Sequence, residues 1–302
     1  MEHKLIIVLG PTAVGKTSFS ISLAEQIGSP IINCDSRQIY RELNIGVARP
    51  SEEELKRVQH YFIATHSISN LYTAGQFELD ALNLLTQLFK THSTLVMCGG
   101  SGLYIDALCN GIDPFPSADR QLREKLNNQL ENEGLESLRY LLRKIDPASY
   151  DSIDIANPQR VIRAIEVTLQ TGKKFSEWKS GTQAGSLAGK KRDFEIEKIG
   201  LNRPREILYE RIGKRVDQMM KDGLLEEVKS LNKYRYVEGE LHSNLSHIPA
   251  LRTVGYRELF DYLDGKLTLD AAVEQIKLST RHYAKRQLTW WGRDKNIKWK
   301  ML

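Results

Sequence analysis

Short apolar runs separated by helical patterns mark out the first hundred residues. Leu5 to Leu9 is a continuous β-branched run, as expected of a parallel strand buried on both faces. Two more runs, Pro30 to Cys34 and Thr94 to Cys98, follow it, and the alternating segment Phe194 to Leu201 resumes the pattern much later. The pattern predicts an open sheet of parallel strands.

Apolar residues at helical spacing fill the intervals between these strands. Lys16 to Ile27 ends at a capping glycine, Gly28, and Gly75 to Lys90 repeats large apolar residues every three to four positions. A long final helix is predicted to open at Leu267-Thr268. Strands alternating with helices are typical of the α/β class.

The pattern of apolar and polar residues changes from Phe115 onward, where long polar helical stretches replace the predicted strands. Asn157-Pro158 is an N-cap followed by proline at the first helical position, and the helix it opens is predicted to end at Gly172. The glycine-containing segment Ser180 to Lys190 is predicted to be a flexible linker. We therefore predict a helical insertion, 117–192, within a core formed by residues 1–116 and 193–302.

The connection after the first strand matches G-x-x-x-x-G-K-[ST] at every fixed position, in the residues Gly10-Pro11-Thr12-Ala13-Val14-Gly15-Lys16-Thr17. Strand, glycine loop and helix follow in the order that a phosphate-binding loop requires. Its backbone N–H groups cradle phosphate oxygens, the lysine adds a point charge, and the Thr17 hydroxyl is the usual Mg²⁺ ligand. The predicted fold is thus an α/β P-loop core, a doubly wound parallel sheet with a helical insertion domain, which binds a diphosphate or a triphosphate.

Polar residues follow the next two strands at the sheet edge where ligands bind. The second strand delivers Asp35-Ser36-Arg37-Gln38, and Asp35 is a candidate general base or metal partner. An Asx turn that closes the strand is the alternative role for this aspartate. The third strand is followed by Gly99-Gly100-Ser101-Gly102, where a P-loop NTPase usually has an aspartate for Mg²⁺. We therefore expect negligible ATP hydrolysis.

Basic residues are concentrated at the C-terminal end and on two predicted helices. The net charge is +5, and Arg281 to Leu302 holds seven Lys or Arg against one acid, interleaved with Tyr283 and three tryptophans. This composition fits a surface for nucleic acid, or else a solvated helix whose aromatics lie in the core. Gln159, Arg160 and Arg163 share one turn of the insertion, and Arg211 lies four residues before Arg215.

Bulk properties limit the class of protein. A chain of 302 residues with 41% hydrophobic residues can bury a large core, and its apolar runs are too short for a signal peptide or a membrane span. We expect a cytoplasmic protein. Its three cysteines form no C-x-x-C pair, so neither disulfides nor zinc are expected.

Five motifs taken together resemble those of the bacterial tRNA dimethylallyltransferase family. They are G-P-T-A-V-G-K-T, D-S-R-Q-I-Y, G-G-S-G-L-Y, N-P-Q-R-V-I-R-A-I-E and R-H-Y-A-K-R-Q-L-T-W-W. Ser101 stands where the family commonly has threonine, and Val47 and Arg49 stand where threonine and lysine are common. The resemblance implies transfer of a dimethylallyl group from dimethylallyl diphosphate to the exocyclic amine of the adenine 3′ of the anticodon, with Mg²⁺.

The resemblance also implies residue roles. The catalytic residues would be Asp35, Lys16, Thr17, Ser101 and Arg211, with the glycine loop from Gly10 to Thr17 on the diphosphate and Thr17 on the metal. The residues expected to contact tRNA are Asp35, Ser36, Arg37, Gln38, Ser101, Arg123, Gln159, Arg160, Val161, Ile162, Arg163, Arg281, Lys285 and Arg286. The partners would be tRNA and dimethylallyl diphosphate, with no membrane, and the protein would be a monomer.

Two other functions fit part of the pattern. A P-loop kinase for a small metabolite also pairs a glycine loop with an acid after the second strand, but such kinases are much shorter. A nucleotide-dependent RNA-binding protein would use the phosphate only as a switch. The insertion and the basic end favour an enzyme that acts on RNA.

Overall fold

The computed structural model describes residues 3–112, 115–116, 118–179, 191–237, 240–241 and 248–302. The predicted linker Ser180 to Lys190 lies outside the described residues. The chain divides into two compact units, Met1–Cys109 with Lys191–Leu302, and Asn110–Lys190. The second unit therefore begins seven residues before the predicted insertion boundary at 117. Contacts between residues define the unit, whereas the prediction used the change in the sequence pattern.

A six-stranded sheet forms the centre of the first unit, and all of its pairings are parallel. In the order β3-β2-β4-β1-β5-β8 its strands are β1 (Lys4–Leu9), β2 (Ile31–Asn33), β3 (His60–Tyr61), β4 (Thr94–Cys98), β5 (Glu195–Asn202) and β8 (Ile297–Met301). A separate antiparallel pair joins β6 (Tyr236–Val237) to β7 (Glu240–Leu241). The predicted α/β fold with a parallel sheet is confirmed.

The position of β1 explains where ligands can bind. After β1 the chain crosses to β2 on one side, and after β4 it crosses to β5 on the other side. This reversal opens a crevice at the carboxyl end of β1. Leu5, Ile7, Val8 and Leu9 are fully buried, so packing on both faces holds that end of the strand in place.

The described residues contain thirteen α-helices. In chain order they are α1 (Lys16–Ile27), α2 (Glu52–Arg57), α3 (Ala74–Leu88), α4 (Gly102–Asn110), α5 (Arg120–Glu133), α6 (Leu135–Ile145), α7 (Pro147–Ser152), α8 (Pro158–Thr171), α9 (Phe175–Lys179), α10 (Arg205–Lys221), α11 (Leu224–Leu231), α12 (Tyr256–Leu263) and α13 (Leu269–Trp291). Short 3₁₀ turns lie at Asn232–Arg235 and Pro249–Arg252. None of these helices has both the length and the apolar character that crossing a membrane requires.

Helices α5 to α9 make up the second unit, and its described residues contribute no strand. Its core is apolar, with Leu138, Leu142 and Ile165 fully buried. The Asn157 side chain caps α8, and Gly172, at φ 71°, ends it. The predicted bounds of this helix are therefore confirmed.

The basic C-terminal segment differs from the prediction of one long helix. Helix α13 ends at Trp291, and Ile297–Met301 pairs with β5 as an edge strand. Lysines are common on such edges because they discourage further strand pairing. Trp291 is buried, and Trp290 Nε1 donates to Asp106 Oδ2 at 2.9 Å. The core interpretation is therefore confirmed for Trp291, while Trp290 is half-buried and packs against the start of α4.

Candidate functional site

The carboxyl ends of β1, β2 and β4 open into a cavity of about 290 Å³. Predicted site residues from three separate segments of the chain line this cavity, namely Lys16 and Thr17, Asp35, and Arg211. The remaining lining residues are Thr12, Ala13, Gly15, Ser18, Asn33, Gln38, Val47, Ala48, Arg49, Pro50, Glu54, Cys98, Gly99, Arg215, Tyr283 and Gln287. Gly10, Pro11 and Val14 complete the glycine loop without lining the cavity.

The glycine loop presents a lysine and an open helix end. Lys16 Nζ donates to the carbonyl oxygens of Gly10 and Pro11, both at 2.9 Å. Gly15, at φ 110°, is the N-cap of α1 and provides no side-chain hydrogen bond. The first N–H groups of α1 are thus not capped from its N-cap, which is the arrangement of an anion site at a helix N-terminus.

Three arginines that follow β5 in the chain donate hydrogen bonds to the glycine loop. Arg203 and Arg211 each donate Nε to a loop carbonyl at 2.8 Å, that of Val14 and that of Ala13 respectively. Arg215 Nη1 donates to Thr12 Oγ1 at 3.3 Å. Arg203 lies between β5 and α10 and was missed from the sequence, because nothing in the pattern there distinguishes it from a surface residue.

The described residues form no ion pair with these cations, although Asp35 and Glu54 line the same cavity. Within the described part of the chain, no carboxylate pairs with Lys16, Arg211 or Arg215 within 4.0 Å. Burial lowers the pKa of Lys16 to about 8, with Arg215 adding to the effect and Cys98 and Asp35 opposing it. Burial and then Arg211 lower the pKa of Arg215. An anion in the cavity would relieve both effects.

Asp35 combines the two roles that the sequence left open. Its Oδ1 accepts from the backbone N–H groups of Arg37 at 2.8 Å and Gln38 at 3.4 Å, which is an Asx turn. The described residues place no hydrogen bond on Oδ2. One carboxylate oxygen therefore shapes the turn, and the other makes no hydrogen bond to the described residues.

Ser101 acts on the same turn from the second glycine segment. Its Oγ accepts from Ser36 N at 2.8 Å and lies 3.0 Å from Ser36 Oγ. Ser101 does not line the cavity itself. Its hydroxyl fixes the backbone next to Asp35, so Ser101 lies behind a residue that lines the cavity.

A carboxylate outside the cavity supports the wall formed by residues 47–50. Glu227, on α11, accepts from the backbone N–H groups of Asn44, Ile45 and Gly46 and from the Tyr256 hydroxyl, at 2.6–3.3 Å. Burial, with Glu227, raises the pKa of Tyr256. Sequence reasoning missed Glu227, which lies far along the chain from the loop that it holds.

Polar residues of the predicted tRNA surface on the second unit fall into two groups. Arg123 and Arg163 both pair with Glu166, which is fully buried, and Arg163 Nη2 also donates to Pro116 O at 2.7 Å. Gln159 and Arg160 are exposed, and Arg160 makes one long contact of 3.6 Å with Asp154. Arg160 and Gln159 are thus free to meet a ligand, whereas the paired arginines stabilise the unit.

Two apolar residues of that turn have a different place from the one predicted. Val161 and Ile162 have no exposed surface and pack in the core of the second unit. Their positions on α8 place them on the inner face of an amphipathic helix. The prediction that they contact tRNA therefore does not hold for their side chains.

The basic residues of α13 are also divided. Lys285 and Arg286 are exposed, but the Arg281 guanidinium lies over the Tyr209 ring, 5.5 Å from its centroid. Arg281 therefore faces α10. Arg37 is half-buried beside the Asp35 turn, and the Gln38 amide donates to the carbonyl oxygens of Val47 and Ala48 at 3.1 and 2.8 Å.

Solved structures share this architecture. The tRNA isopentenylpyrophosphate transferase of Bacillus halodurans matches with a TM-score of 0.68 and 34% identity, over 99% of this chain and 90% of that one. A eukaryotic dimethylallyltransferase acting on tRNA matches with a TM-score of 0.78 and 27% identity, over 99% of this chain and 74% of that one.

Sequence comparison agrees with these likenesses. The chain is 47% identical to tRNA dimethylallyltransferase 2 of Azobacteroides pseudotrichonymphae over 98% of this chain and 91% of the relative. It is 45% identical to tRNA dimethylallyltransferase 1 of Bacteroides thetaiotaomicron over 98% and 90% of the two chains. The family model for IPP transferase matches residues 38–294. On this evidence the chain belongs to the IPP transferase family.

Proposed function

We propose that the protein transfers a dimethylallyl group from dimethylallyl diphosphate to the exocyclic amine of the adenine 3′-adjacent to the anticodon of tRNA, releasing diphosphate. The observation that supports this proposal most strongly is that one cavity is lined both by cations that form no ion pair and by the Asp35 carboxylate. Relatives named as tRNA dimethylallyltransferases support the substrate class.

The cationic side of the cavity suits the leaving group. As the allylic C–O bond breaks, its electron pair stays on the diphosphate, whose negative charge must be stabilised. Hydrogen bonds to loop carbonyl oxygens hold Lys16 and Arg211 beside the glycine loop, and the first N–H groups of α1 have no side-chain cap, which supports this role for all three. Because neutral acceptors hold these cations, their charge remains available to the anion.

The acidic side suits the nucleophile. An adenine amine attacks poorly, because its lone pair is delocalised into the ring. When the N–C bond forms, the nitrogen must lose a proton, and we assign Asp35 as the base that accepts it, because Asp35 lines the cavity. General base assistance of this kind is worth about 10²–10⁴-fold in rate.

The residues present fit a bound Mg²⁺, although the described residues contain no group of three or more His, Cys, Asp or Glu that could hold a metal unaided. Mg²⁺ usually binds through one or two protein ligands, waters and substrate phosphates. Thr17 lines the cavity, and its hydroxyl is the protein ligand that we propose. When bound, Mg²⁺ would neutralise charge on the departing diphosphate.

The end of β4 disfavours the kinase alternative. Gly99 and Gly100 follow Cys98, so no carboxylate stands where a P-loop NTPase holds its metal. An RNA-binding protein that only switches on phosphate would need Asp35 for its Asx turn alone and would have no use for a second carboxylate oxygen without a hydrogen bond.

We expect label from dimethylallyl diphosphate, and not from γ-labelled ATP, to become acid-insoluble when the protein is incubated with bulk tRNA and Mg²⁺. Acid precipitation and counting measure the transfer, and free phosphate release measures ATP turnover. Magnesium-dependent ATP turnover at typical enzyme rates, about 1–10³ s⁻¹, without prenyl transfer would favour the kinase instead.

Asp35→Asn should lower the single-turnover rate by about 10²–10⁴-fold and leave tRNA affinity nearly unchanged. Asparagine keeps an Oδ1 acceptor for the Arg37 and Gln38 N–H groups, so the turn survives while the base is lost. Asp222→Asn, an exposed residue at the end of α10, is the matched control. Near-normal transfer by Asp35→Asn, or a loss explained by tRNA affinity alone, would make Asp35 a positioning residue.

Arg160→Ala should flatten the slope of log K against log[salt] for tRNA binding by about 0.7–0.9, as expected for one lost phosphate contact. Arg163→Ala should instead lower the free energy of unfolding by about 1–3 kcal/mol, because Glu166 stays buried with one partner fewer. Filter binding over a salt series and urea unfolding separate the two effects. A stable Arg163→Ala protein with a flattened slope would show that Arg163 contacts tRNA.

A further inference from the structure

Gln287 links the two glycine segments of the site. Its side chain is 6% exposed and reaches the sheet edge from α13. Gln287 Oε1 accepts from Thr12 N at 2.8 Å, and Nε2 donates to Gly100 O at 2.8 Å. An amide carries one strong acceptor and one donor group on the same carbon, so a single residue satisfies both loops.

The peptide that Gln287 holds on one side also orients Lys16. Thr12 N belongs to the Pro11–Thr12 peptide, whose carbonyl oxygen accepts from Lys16 Nζ at 2.9 Å. Because a trans peptide is planar, its N–H and C=O point in opposite directions, and fixing one fixes the other. The bond to Gln287 therefore sets where the Pro11 carbonyl holds the lysine.

The second peptide that Gln287 holds contacts the turn that contains Asp35 through Ser101. Gly100 O belongs to the Gly100–Ser101 peptide, and Ser101 Oγ accepts from Ser36 N at 2.8 Å, next to Asp35. Hydrogen bonds and the two peptides that they share thus connect Lys16 through Gln287 and Ser101 to the Asp35 turn. Each link is buried or half-buried.

Helix α13 has little freedom to shift and break these connections. A Cβ added to Gly102 would stand 2.6 Å from Trp290 Cδ1, so α13 packs directly against the start of α4. The bond from Trp290 Nε1 to Asp106 secures the same contact. The position of Gln287 is therefore set by packing and not by the two loops alone.

We propose that Gln287 is a positioning residue that sets the spacing between the diphosphate-binding loop and the Asp35–Ser101 side of the cavity. This inference rests on the proposed function. Lys16 and Asp35 act on the leaving group and on the nucleophile respectively, so their spacing decides whether the amine reaches the allylic carbon. A misplacement of about 1 Å can cost about 10²-fold in rate.

Gln287→Met tests the inference, because methionine is similar in length and lacks both hydrogen-bonding groups. We expect a single-turnover rate about 10- to 100-fold lower at saturating substrates, with the affinities for inorganic diphosphate and for tRNA within about 3-fold of the wild type. Gln275→Met, on the same helix with an exposed amide bonded to Ser279, is the matched control and should match the wild type. Gln287→Asn keeps the amide on a shorter stem, so it serves as a second variant if the methionine protein fails to fold.

A double-mutant cycle distinguishes positioning from a general loss of packing. Gln287→Met and Ser101→Ala act on one chain of bonds, so the rate lost by the double variant should be about 3-fold or more smaller than the product of the single losses. A wild-type rate in Gln287→Met, a loss abolished by saturating substrate, or multiplicative single losses would each overturn the inference. Absence of transfer by the wild type in the same assay would instead contradict the proposed function.

Discussion

The constraint on which the site depends is positive charge beside the glycine loop that forms no ion pair with any described carboxylate. Lys16, Arg211 and Arg215 are fixed by carbonyl or hydroxyl oxygens of the loop. Such acceptors position a cation but leave its charge uncompensated. Burial lowers the pKa of Lys16 to about 8, so an anion bound at the loop would stabilise the charged form of this lysine.

The opposite side of the cavity is organised by hydrogen bonds and not by charge. Asp35 caps its own turn through Oδ1, and Ser101 secures the neighbouring Ser36. The Asx turn and the role as a base are therefore compatible, because the two carboxylate oxygens are used separately. Gln287 joins this side to the glycine loop through two backbone bonds.

Local patterns allowed four strands of the sheet (β1, β2, β4 and β5), the glycine loop and the place of Asp35 after β2 to be predicted, because each depends on residues close together in the chain. Glu227, Arg203 and Gln287 could not be predicted in this way, since each acts on a backbone group more than 150 residues away. A polar residue on a helix gives no sign of which distant loop it will meet.

The arginines of the second unit illustrate the same limit. Arg160 and Arg163 share a turn and look alike in the sequence, yet one is exposed and the other pairs with the buried Glu166. Burial of a glutamate at that position required a partner, and the helix face decided which arginine supplied it. The strand β8 was missed although Ile297–Met301 alternates apolar residues with lysines, because these lysines were counted with the basic C-terminal end as a whole.

Thermal unfolding of the protein in inorganic diphosphate tests most directly whether the cavity is a diphosphate site. A ligand that binds only the folded state stabilises it by about 2.7 kcal/mol at a concentration 100 times its Kd. We expect a rise in Tm that grows with diphosphate concentration and shrinks in Lys16→Ala. A Tm that changes no more than in sodium chloride of equal ionic strength would show that the cavity does not bind diphosphate.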